Sequence, residues 1–182
     1  YESDGSHTFI FCFEESCGYL RGTHARDKDA VVASMLFAEM SCYYESVGKS
    51  VYQRLCELYA KYGFVLDATD SIKYSGLSAM SDMNAAVDGM RGKTVTAIGN
   101  YTVSGVRDYL TGVRKSEDGE EELNIKGVNC IYYELLSGGF ICLRPSGTEP
   151  KLKIYYSVKG KGKAHAERAL EELRANFTAL LK

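Results

Sequence analysis

Apolar residues recur at the spacing of an amphipathic helix in three segments of the first half of the chain: residues 30–44, 50–63 and 80–90. Ser50 and Gln53 stand at capping-box spacing at the start of the second segment, and Gly63 is a natural C-terminal stop. The sequence therefore predicts three helices here. Their apolar stripes are Val32, Leu36 and Met40; Val51, Leu55, Leu58 and Tyr62; and Met80, Met83, Val87 and Met90.

Strand patterns are sparse in the first half and frequent in the second. The apolar run "TFIFCF" (residues 8–13) predicts a buried strand, and residues 64–76 can hold another. Residues 93–103 predict a strand, whereas the charged segment 115–122 reads as a solvated loop. Two further strands, "NCIYYELL" and "GFICLR", are joined by a glycine-rich hairpin turn, and the alternating "LKIYYSV" follows before a long amphipathic C-terminal helix.

These patterns predict an α/β unit followed by an α+β unit. We expect the boundary near residue 92, with residues 1–92 forming the α/β unit. Residues 93–182 are expected to form a small domain with a four-stranded antiparallel sheet and packed helices.

Composition places the chain among ordinary globular proteins. Of 182 residues, 45% are hydrophobic and 25% are charged, and neither a membrane-spanning apolar run nor a signal-peptide pattern is present. We therefore expect a cytoplasmic protein that does not bind membranes. Because the first residue is tyrosine, we also expect that further sequence precedes it. The six cysteines form no C-x-x-C pair, so buried free thiols are favoured over a zinc site or a disulfide framework.

Charge is distributed unevenly along the chain. Residues 144–182 hold nine Lys/Arg against four Asp/Glu, although the net charge of the whole chain is −2. A basic C-terminal region suits an anionic ligand. The basic residues are scattered and no RNA-binding aromatic motif accompanies them, so nucleic acid is not the expected partner.

One short loop concentrates groups suited to phosphate. In "CLRPSGTEPK", Arg144 can offer a planar fork to two phosphate oxygens, while Ser146 and Thr148 add hydroxyl donors. Gly147 allows close backbone approach, and Lys151 closes the other side as a point charge. The alternative is a solvated turn with incidental charges.

Two further polar segments stand early in the chain. In "FEESCGYL", the carboxylate of Glu14 and the hydroxyl of Ser16 can bind sugar hydroxyls, although a solvated strand end explains the pattern equally well. In "RDKD" (residues 26–29) the acidic residues suit a helix N-terminus, but Arg26 and Lys28 do not, which indicates another role for the two cations.

The segments "RPSGTEPK" (144–151), "FEESCGYL" (13–20) and "RDKDAVVAS" (26–34) resemble, in this order, motifs of the phosphoglucomutase/phosphomannomutase superfamily of phosphohexomutases. The resemblance implies that residues 1–92 are the latter part of the family's third domain, a three-layer α/β domain, and that residues 93–182 are the complete fourth, phosphate-binding domain. It implies an enzyme that interconverts hexose 1-phosphate and hexose 6-phosphate by intramolecular phosphoryl transfer through a bisphosphorylated sugar.

The resemblance also implies roles for individual residues. Lys28 matches a lysine of the active site, with His24 and Arg26 beside it; Glu14 and Ser16 bind sugar hydroxyls. The phosphate site comprises Arg144, Ser146, Gly147 and Thr148, with Lys151 in support.

The remaining machinery of the family is expected upstream of this chain. A phosphoserine, a Mg²⁺ loop of three aspartates and an activator of the glucose 1,6-bisphosphate type complete the family's reaction. "GSHTF" (5–9) is in the wrong place for the phosphoserine, "DATDS" (67–71) lacks the metal-loop spacing, and no metal ligands are expected here. We therefore expect this part alone to be inactive, to require the other domains as partners, and to self-associate without them.

Two alternatives remain open. The chain could be a stand-alone phosphosugar-binding or regulatory module without catalysis, or a nucleic-acid-binding domain, whose affinity would fall steeply with salt. Cys12, Cys17 and Ala30 depart from residues usual in the family, so the choice among glucose, mannose and pentose phosphates also stays open.

Overall fold

The structure is a computed structural model that describes residues 5–14 and 17–181. The chain divides into two compact units, one ending at Lys61 and the other beginning at Tyr62. The sequence predicts a boundary near residue 92, whereas this division assigns the strand and helix that precede residue 92 to the second unit.

The first unit contains a two-stranded antiparallel sheet and two helices. Strands β1 (Phe11–Phe13) and β2 (Tyr19–Arg21) pair with each other, and helices α1 (Ala30–Ser46) and α2 (Val51–Tyr62) follow. Helix α1 packs against β2. The helices coincide closely with the segments that the apolar periodicity predicts.

Helix α2 begins with the capping box that its sequence predicts. The backbone N–H of Gln53 donates to Oγ of Ser50 at 3.1 Å, and the backbone N–H of Ser50 donates to Oε1 of Gln53 at 2.7 Å. Two N–H groups at the helix start are thereby satisfied reciprocally. Gly63 follows the helix with φ +93°, a left-handed conformation that glycine adopts without steric cost.

Two expectations for the first unit were wrong about burial. Strand β1 is shorter than residues 8–13 and exposed throughout, because β2 is its only partner strand among the described residues. No residue of α1 is fully buried: Val32 and Leu36 are half-buried, and Met40 is exposed. The apolar stripe of α1 therefore lacks a complete core to pack against in the described residues.

The second unit is built on one large antiparallel sheet. Strand β3 lies at one edge, and the order continues as β3-β10-β9-β8-β5-β6-β7, with the short β4 paired to β5. The elements are β3 (Phe64–Lys73), α3 (Ala79–Arg91), β4 (Ala97–Ile98), β5 (Tyr101–Asp108), β6 (Val113–Ser116), β7 (Gly119–Glu122), β8 (Ile131–Leu135), β9 (Phe140–Pro145), β10 (Lys151–Gly160) and α4 (Lys163–Leu180).

The sheet is larger than the four strands expected. β3 pairs along its whole length with β10, a long-range contact that periodicity cannot reveal. The segment 115–122 is not a loop: β6 and β7 form a hairpin turning at Glu117 and Asp118, in which β7 is exposed throughout and β6 is mostly half-buried. The strand expected at residues 93–103 is divided by a turn at Gly99 (φ +57°), after which β5 begins.

The hydrophobic core of the second unit lies on one face of this sheet. Alternate residues of β9 and β10 point into it, and helices α3 and α4 cover them. The fold class expected from the sequence, α/β elements followed by an α+β domain, is confirmed by this antiparallel sheet and the four helices of the described residues. The largest fully buried side chains of the core include Met83, Met90, Tyr133, Ile141, Leu143, Leu152, Ile154, Tyr156, Leu173 and Phe177.

The opposite face of the sheet carries polar and charged side chains. Because side chains alternate along a strand, Cys142 and Arg144 of β9 and Lys153 of β10 lie on this second face. The loop between β9 and β10 therefore connects two strands that pair with each other along the whole length of β9.

None of the helices in residues 5–14 and 17–181 is both long and apolar enough to cross a membrane.

Candidate functional site

The loop between β9 and β10 is closed by its own backbone. The N–H of Ser146 donates to the carbonyl of Lys151 at 2.8 Å, and the N–H of Lys151 donates to the carbonyl of Glu149 at 2.8 Å. The N–H of Tyr74 donates to the carbonyl of Pro150 at 2.9 Å, which ties the loop to the segment after β3. The loop is therefore fixed from two sides, and little conformational entropy remains to be lost on binding a ligand.

The small polar residues of this loop leave its tip accessible. The backbone N–H of Thr148 lies 3.4 Å from Oγ of Ser146, a long contact that another acceptor could replace. A Cβ atom added at Gly147 would meet nothing within 4 Å among the described residues. Hydroxyl and N–H groups are thus available to an incoming anion.

Arg144 differs from the other arginines of the sheet. Arg107 of β5 and Arg114 of β6 both form ion pairs with Glu134, but the side chain of Arg144 is exposed and has no carboxylate partner in the part of the chain that the structure describes. Its guanidinium stands at the end of β9, directly before the loop. Lys151, at the start of β10, has its Nζ atom 3.7 Å from Oε1 of Glu149.

Two more lysines extend this cationic group, and neither was singled out from the sequence. Lys153 is the register partner of Arg144 across β9 and β10, and Lys73 is the register partner of Lys151 across β3 and β10. Alternation in "LKIYYSV" could have identified Lys153, which is two residues from Lys151. Lys73 becomes visible only through the β3–β10 pairing. Four cations at one end of the sheet create a field that favours an anion.

In the first unit, Glu14 and Lys28 come together. The Nζ atom of Lys28 lies 3.7 Å from Oε2 of Glu14 and 3.1 Å from Oδ1 of Asp27. Gly18 makes this possible, since a Cβ atom there would lie 2.4 Å from Cγ of Lys28 and 2.6 Å from Oε1 of Glu14. Neither Gly18 nor Asp27 was predicted as part of the site.

Electrostatics fix the charge of this group. The hydrogen bond that Lys28 donates to Asp27, and then the charges of Asp27 and Glu14, raise the pKa of Lys28 above its ordinary value. The pKa of Asp27 is lowered, chiefly by the hydrogen bond from the backbone N–H of Lys28. Lys28 therefore remains a cation at neutral pH, and it is suited to attracting an anion rather than to accepting a proton.

His24 contacts the start of α1 rather than Lys28. Its Nε2 atom lies 2.7 Å from Oδ2 of Asp29, which also caps α1 by accepting from the N–H groups of Val31 and Val32. The hydrogen bond with His24 is the main cause of the lowered pKa of Asp29. Arg26 lies in the same segment and is exposed. The structure thus gives His24 a clear structural contact at this helix start.

Glu14, Cys17 and Gly18, the described residues between β1 and β2, include one uncommon backbone conformation. The N–H of Glu14 donates to the carbonyl of Gly18 at 2.9 Å, and Cys17 has φ +64°, a left-handed conformation that is uncommon for a residue with a side chain. Ser16, the second predicted sugar-binding residue, lies outside the described residues. Within the described residues, no group of three or more His, Cys, Asp or Glu could hold a metal ion.

Two family models match the chain in the order of these two units. Residues 3–62 match phosphoglucomutase/phosphomannomutase, alpha/beta/alpha domain III, and residues 83–175 match the C-terminal domain of the same family. This chain belongs to the phosphoglucomutase/phosphomannomutase family. The two matched regions leave residues 63–82 between them, which include β3 and the segment before α3.

Similar proteins include phosphoglucomutases of staphylococci. The chain is 36% identical over 159 residues to one from Staphylococcus haemolyticus, covering 86% of this chain and 29% of that protein. It is 29% identical over 178 residues to one from Staphylococcus saprophyticus, covering 97% of this chain and 32% of that protein. The chain therefore spans less than a third of the length of these phosphoglucomutases.

A solved structure shows the same fold. The open form of the exocytosis-sensitive phosphoprotein pp63/parafusin, a phosphoglucomutase from Paramecium, matches with a TM-score of 0.57 and 15% sequence identity. The match covers 94% of this chain and 31% of that one. The fold seen here is thus that of the corresponding part of a phosphoglucomutase.

Proposed function

We propose that this chain is the sugar- and phosphate-recognition part of a phosphohexomutase that interconverts hexose 1-phosphate and hexose 6-phosphate. The observation that carries the proposal is the exposed guanidinium of Arg144, without a carboxylate partner among the described residues, at the entrance of a loop whose backbone is already fixed. A structural arginine on this sheet would be expected to pair with a carboxylate, as Arg107 and Arg114 do.

The proposed phosphate contacts follow from donor geometry. Arg144 presents two parallel N–H groups to two phosphate oxygens, and the hydroxyls of Ser146 and Thr148 supply further donors. Gly147 leaves space at the loop tip, and Lys151 adds charge. One anchor of this kind can hold either phosphate of a bisphosphorylated sugar, so the same site can serve both directions of phosphoryl transfer.

The proposed sugar contacts belong to the first unit. The carboxylate of Glu14 accepts hydrogen bonds from sugar hydroxyls, and Ser16 is assigned the same role from its position in the motif. Lys28 is held close to Glu14 and keeps its positive charge, so it stabilises negative charge on a phosphorylated substrate. Arg26 and His24 are assigned to its neighbourhood; His24 acts there by holding Asp29.

The complete reaction in this proposal is an intramolecular phosphoryl transfer through a bisphosphorylated sugar. The phosphoserine, the Mg²⁺ ligands and the binding of an activator of the glucose 1,6-bisphosphate type belong to the other domains of the enzyme. The described residues offer no cluster suited to Mg²⁺, so no step carried out by this chain is assigned to the metal.

Titration of the isotope-labelled chain with glucose 6-phosphate and glucose 1-phosphate tests the proposal. We expect amide shifts at Arg144–Lys151 and at Glu14 and Lys28, with inorganic phosphate moving only the first set and glucose alone moving neither strongly. Hexose phosphates that shift neither set would refute the proposal.

The alternative, a stand-alone phosphosugar-binding module, predicts the same titration. The coding sequence upstream of Tyr1 separates the two functions. A reading frame that carries the family's phosphoserine motif (Ser-His-Asn-Pro) and its Mg²⁺-loop motif (Asp-Gly-Asp-Gly-Asp) supports the mutase. A start codon directly before Tyr1 supports the module.

A further inference from the structure

Two cysteines lie in contact beside the phosphate loop. The Sγ atoms of Cys130 and Cys142 are 3.3 Å apart. Cys142 belongs to β9, two residues before Arg144, and Cys130 immediately precedes β8. The register pairs Tyr132 with Cys142 and Ile131 with Leu143, so Cys130 comes next to the strand position of Arg144.

The two thiols are placed for a bond between them. A disulfide has an S–S length of about 2.05 Å, so the sulfur atoms need to approach by roughly 1.3 Å. The β8–β9 ladder ends at Ile131, and the carbonyl of Cys130 accepts instead from the N–H of Tyr109 at 3.0 Å. Because the backbone at Cys130 is not part of that ladder, it can shift towards β9 without breaking a β8–β9 hydrogen bond.

We infer that Cys130 and Cys142 are a redox-active pair whose disulfide weakens anion binding at Arg144. The second half of this inference rests on the proposed phosphate-binding function. Cys142 is half-buried and lies on the same face of β9 as Arg144, so tying it to Cys130 displaces the strand end that delivers the guanidinium. The other cysteines of the described residues (Cys12, Cys17, Cys42 and Cys56) are exposed, which corrects the expectation that the thiols are buried.

The local electrostatics favour reaction of this pair. The pKa of Cys130 is lowered, first by the hydrogen bond from the thiol of Cys142 and also by the charge of Arg144. The pKa of Cys142 is raised by the same hydrogen bond and by burial, so one sulfur is the nucleophile and its neighbour holds the proton.

The oxidant is a hydroperoxide, which completes the electron balance. The thiolate of Cys130 attacks one peroxide oxygen, and the O–O bond breaks to give a sulfenic acid and hydroxide, which takes up from solvent the proton that the thiol had released and leaves as water. The sulfur of Cys142 then attacks the sulfenic sulfur, loses its proton and expels a second water. Two thiols lose two electrons in total, and a thiol reductant reverses the step.

The two sites are expected to influence each other. A phosphate bound by Arg144 neutralises the charge that favours the Cys130 thiolate, so phosphate should slow oxidation. By linkage, a disulfide that weakens phosphate binding is itself formed less favourably when phosphate is bound.

The experiment uses the whole chain with its four exposed cysteines replaced by serine (C12S, C17S, C42S and C56S). The protein is treated with hydrogen peroxide, alkylated and mapped by mass spectrometry without reduction. Trypsin leaves both cysteines on one peptide, because no Lys or Arg lies between Lys126 and Arg144; a glutamate-specific protease separates them at Glu134. We expect a cross-linked pair of peptides that a thiol reductant releases, and none in Cys142→Ser or Cys130→Ala.

Phosphate binding is then compared in the reduced and oxidised chain. We expect oxidation to weaken it about tenfold, the equivalent of one lost charge-assisted hydrogen bond. The Cys142→Ser variant should bind phosphate equally before and after peroxide.

Oxidation that stops at sulfenic acid or links different molecules would overturn the disulfide, and unchanged affinity in the cross-linked protein would overturn the coupling. A reduced chain that does not bind phosphate would refute the proposed function and the coupling, while the peptide map would still decide the disulfide.

Discussion

The Nζ atom of Lys28 lies 3.1 Å from Oδ1 of Asp27, closer than to Oε2 of Glu14 at 3.7 Å. Asp27 is therefore the main cause of the raised pKa of Lys28, and Glu14 contributes less. Asp27, the neighbour in sequence, therefore has the larger influence on the charge of the lysine.

Asp27→Asn should lower the pKa of Lys28 more than Glu14→Gln does, because it removes the nearer carboxylate. The folded-state pKa of Lys28 is raised, so its interactions with these carboxylates stabilise the fold below the ordinary lysine pKa, about 10.4. This stabilisation is lost as the pH rises through the folded-state pKa of Lys28. NMR titration of the Lys28 side chain measures the shift, with Glu171→Gln on the exposed face of α4 as control. A larger effect of Glu14→Gln would contradict this assignment.

Local patterns predicted the helices of this chain well, because they depend on neighbours in sequence. The Ser50–Gln53 capping box and the stop at Gly63 appear as expected. The loop from Arg144 to Lys151 also lies between two strands, as the apolar runs on either side indicate.

Features that depend on distant segments could not be predicted in this way. The pairing of β3 with β10 places Lys73 beside Lys151, and no periodicity reports which strands are neighbours. The same limit applies to the Cys130–Cys142 contact. It also applies to the hairpin β6–β7, because the sequence of the exposed, charged strand β7 resembles that of a loop.

A pH-dependent contribution to stability is expected from Glu134. Its carboxylate is bound by Arg114 and Arg107, and the hydrogen bonds from Arg114 are the main cause of its lowered pKa. A lowered folded-state pKa means that this stability is present above the ordinary glutamate pKa and is lost as the pH falls through the folded value.

Glu134→Gln should therefore destabilise the second unit by about 1–2 kcal/mol at pH 7, and by less in acid. Urea unfolding of the wild-type chain and of Glu134→Gln, measured at neutral and at acidic pH, gives the difference in their free energies of unfolding. A difference in unfolding free energy that does not shrink as the pH falls would be inconsistent with this ion pair.

The core beneath α4 offers a test of packing. Phe177 is fully buried and contacts the rings of Tyr133 and Tyr156, so Phe177→Ala should lower the free energy of unfolding by about 3–5 kcal/mol.

The hydroxyl of Tyr133 is buried without a hydrogen-bond partner among the described residues, so Tyr133→Phe should leave stability unchanged or raise it by up to about 1 kcal/mol. Thermal unfolding measures both, and a marked loss in Tyr133→Phe would show that the hydroxyl has a partner.

The first unit is expected to be the less stable part of the isolated chain. Several of its apolar side chains are exposed: Phe11 and Phe13 on β1, and Val31, Met35 and Phe37 on α1. Exposed apolar groups of this kind favour association with another protein surface. We expect self-association, or faster hydrogen exchange in residues up to Lys61 than beyond. Sedimentation and hydrogen-exchange mass spectrometry test this, and a monomer with equal protection in both units would contradict it.

Phosphate titration of the labelled whole chain tests the central claim most directly. The full chain is required, because residues 93–182 alone would lack β3 and α3, which pack with the sheet. We predict roughly millimolar binding, with amide shifts confined to Arg144–Lys151 and their strand neighbours. Arg144→Lys should weaken binding because the bidentate contact is lost, and Arg144→Ala should abolish the shifts, whereas Arg168→Ala, which removes the same charge from the exposed face of α4, should not. An unchanged titration in folded Arg144→Ala protein would contradict the assignment of this loop as a phosphate site.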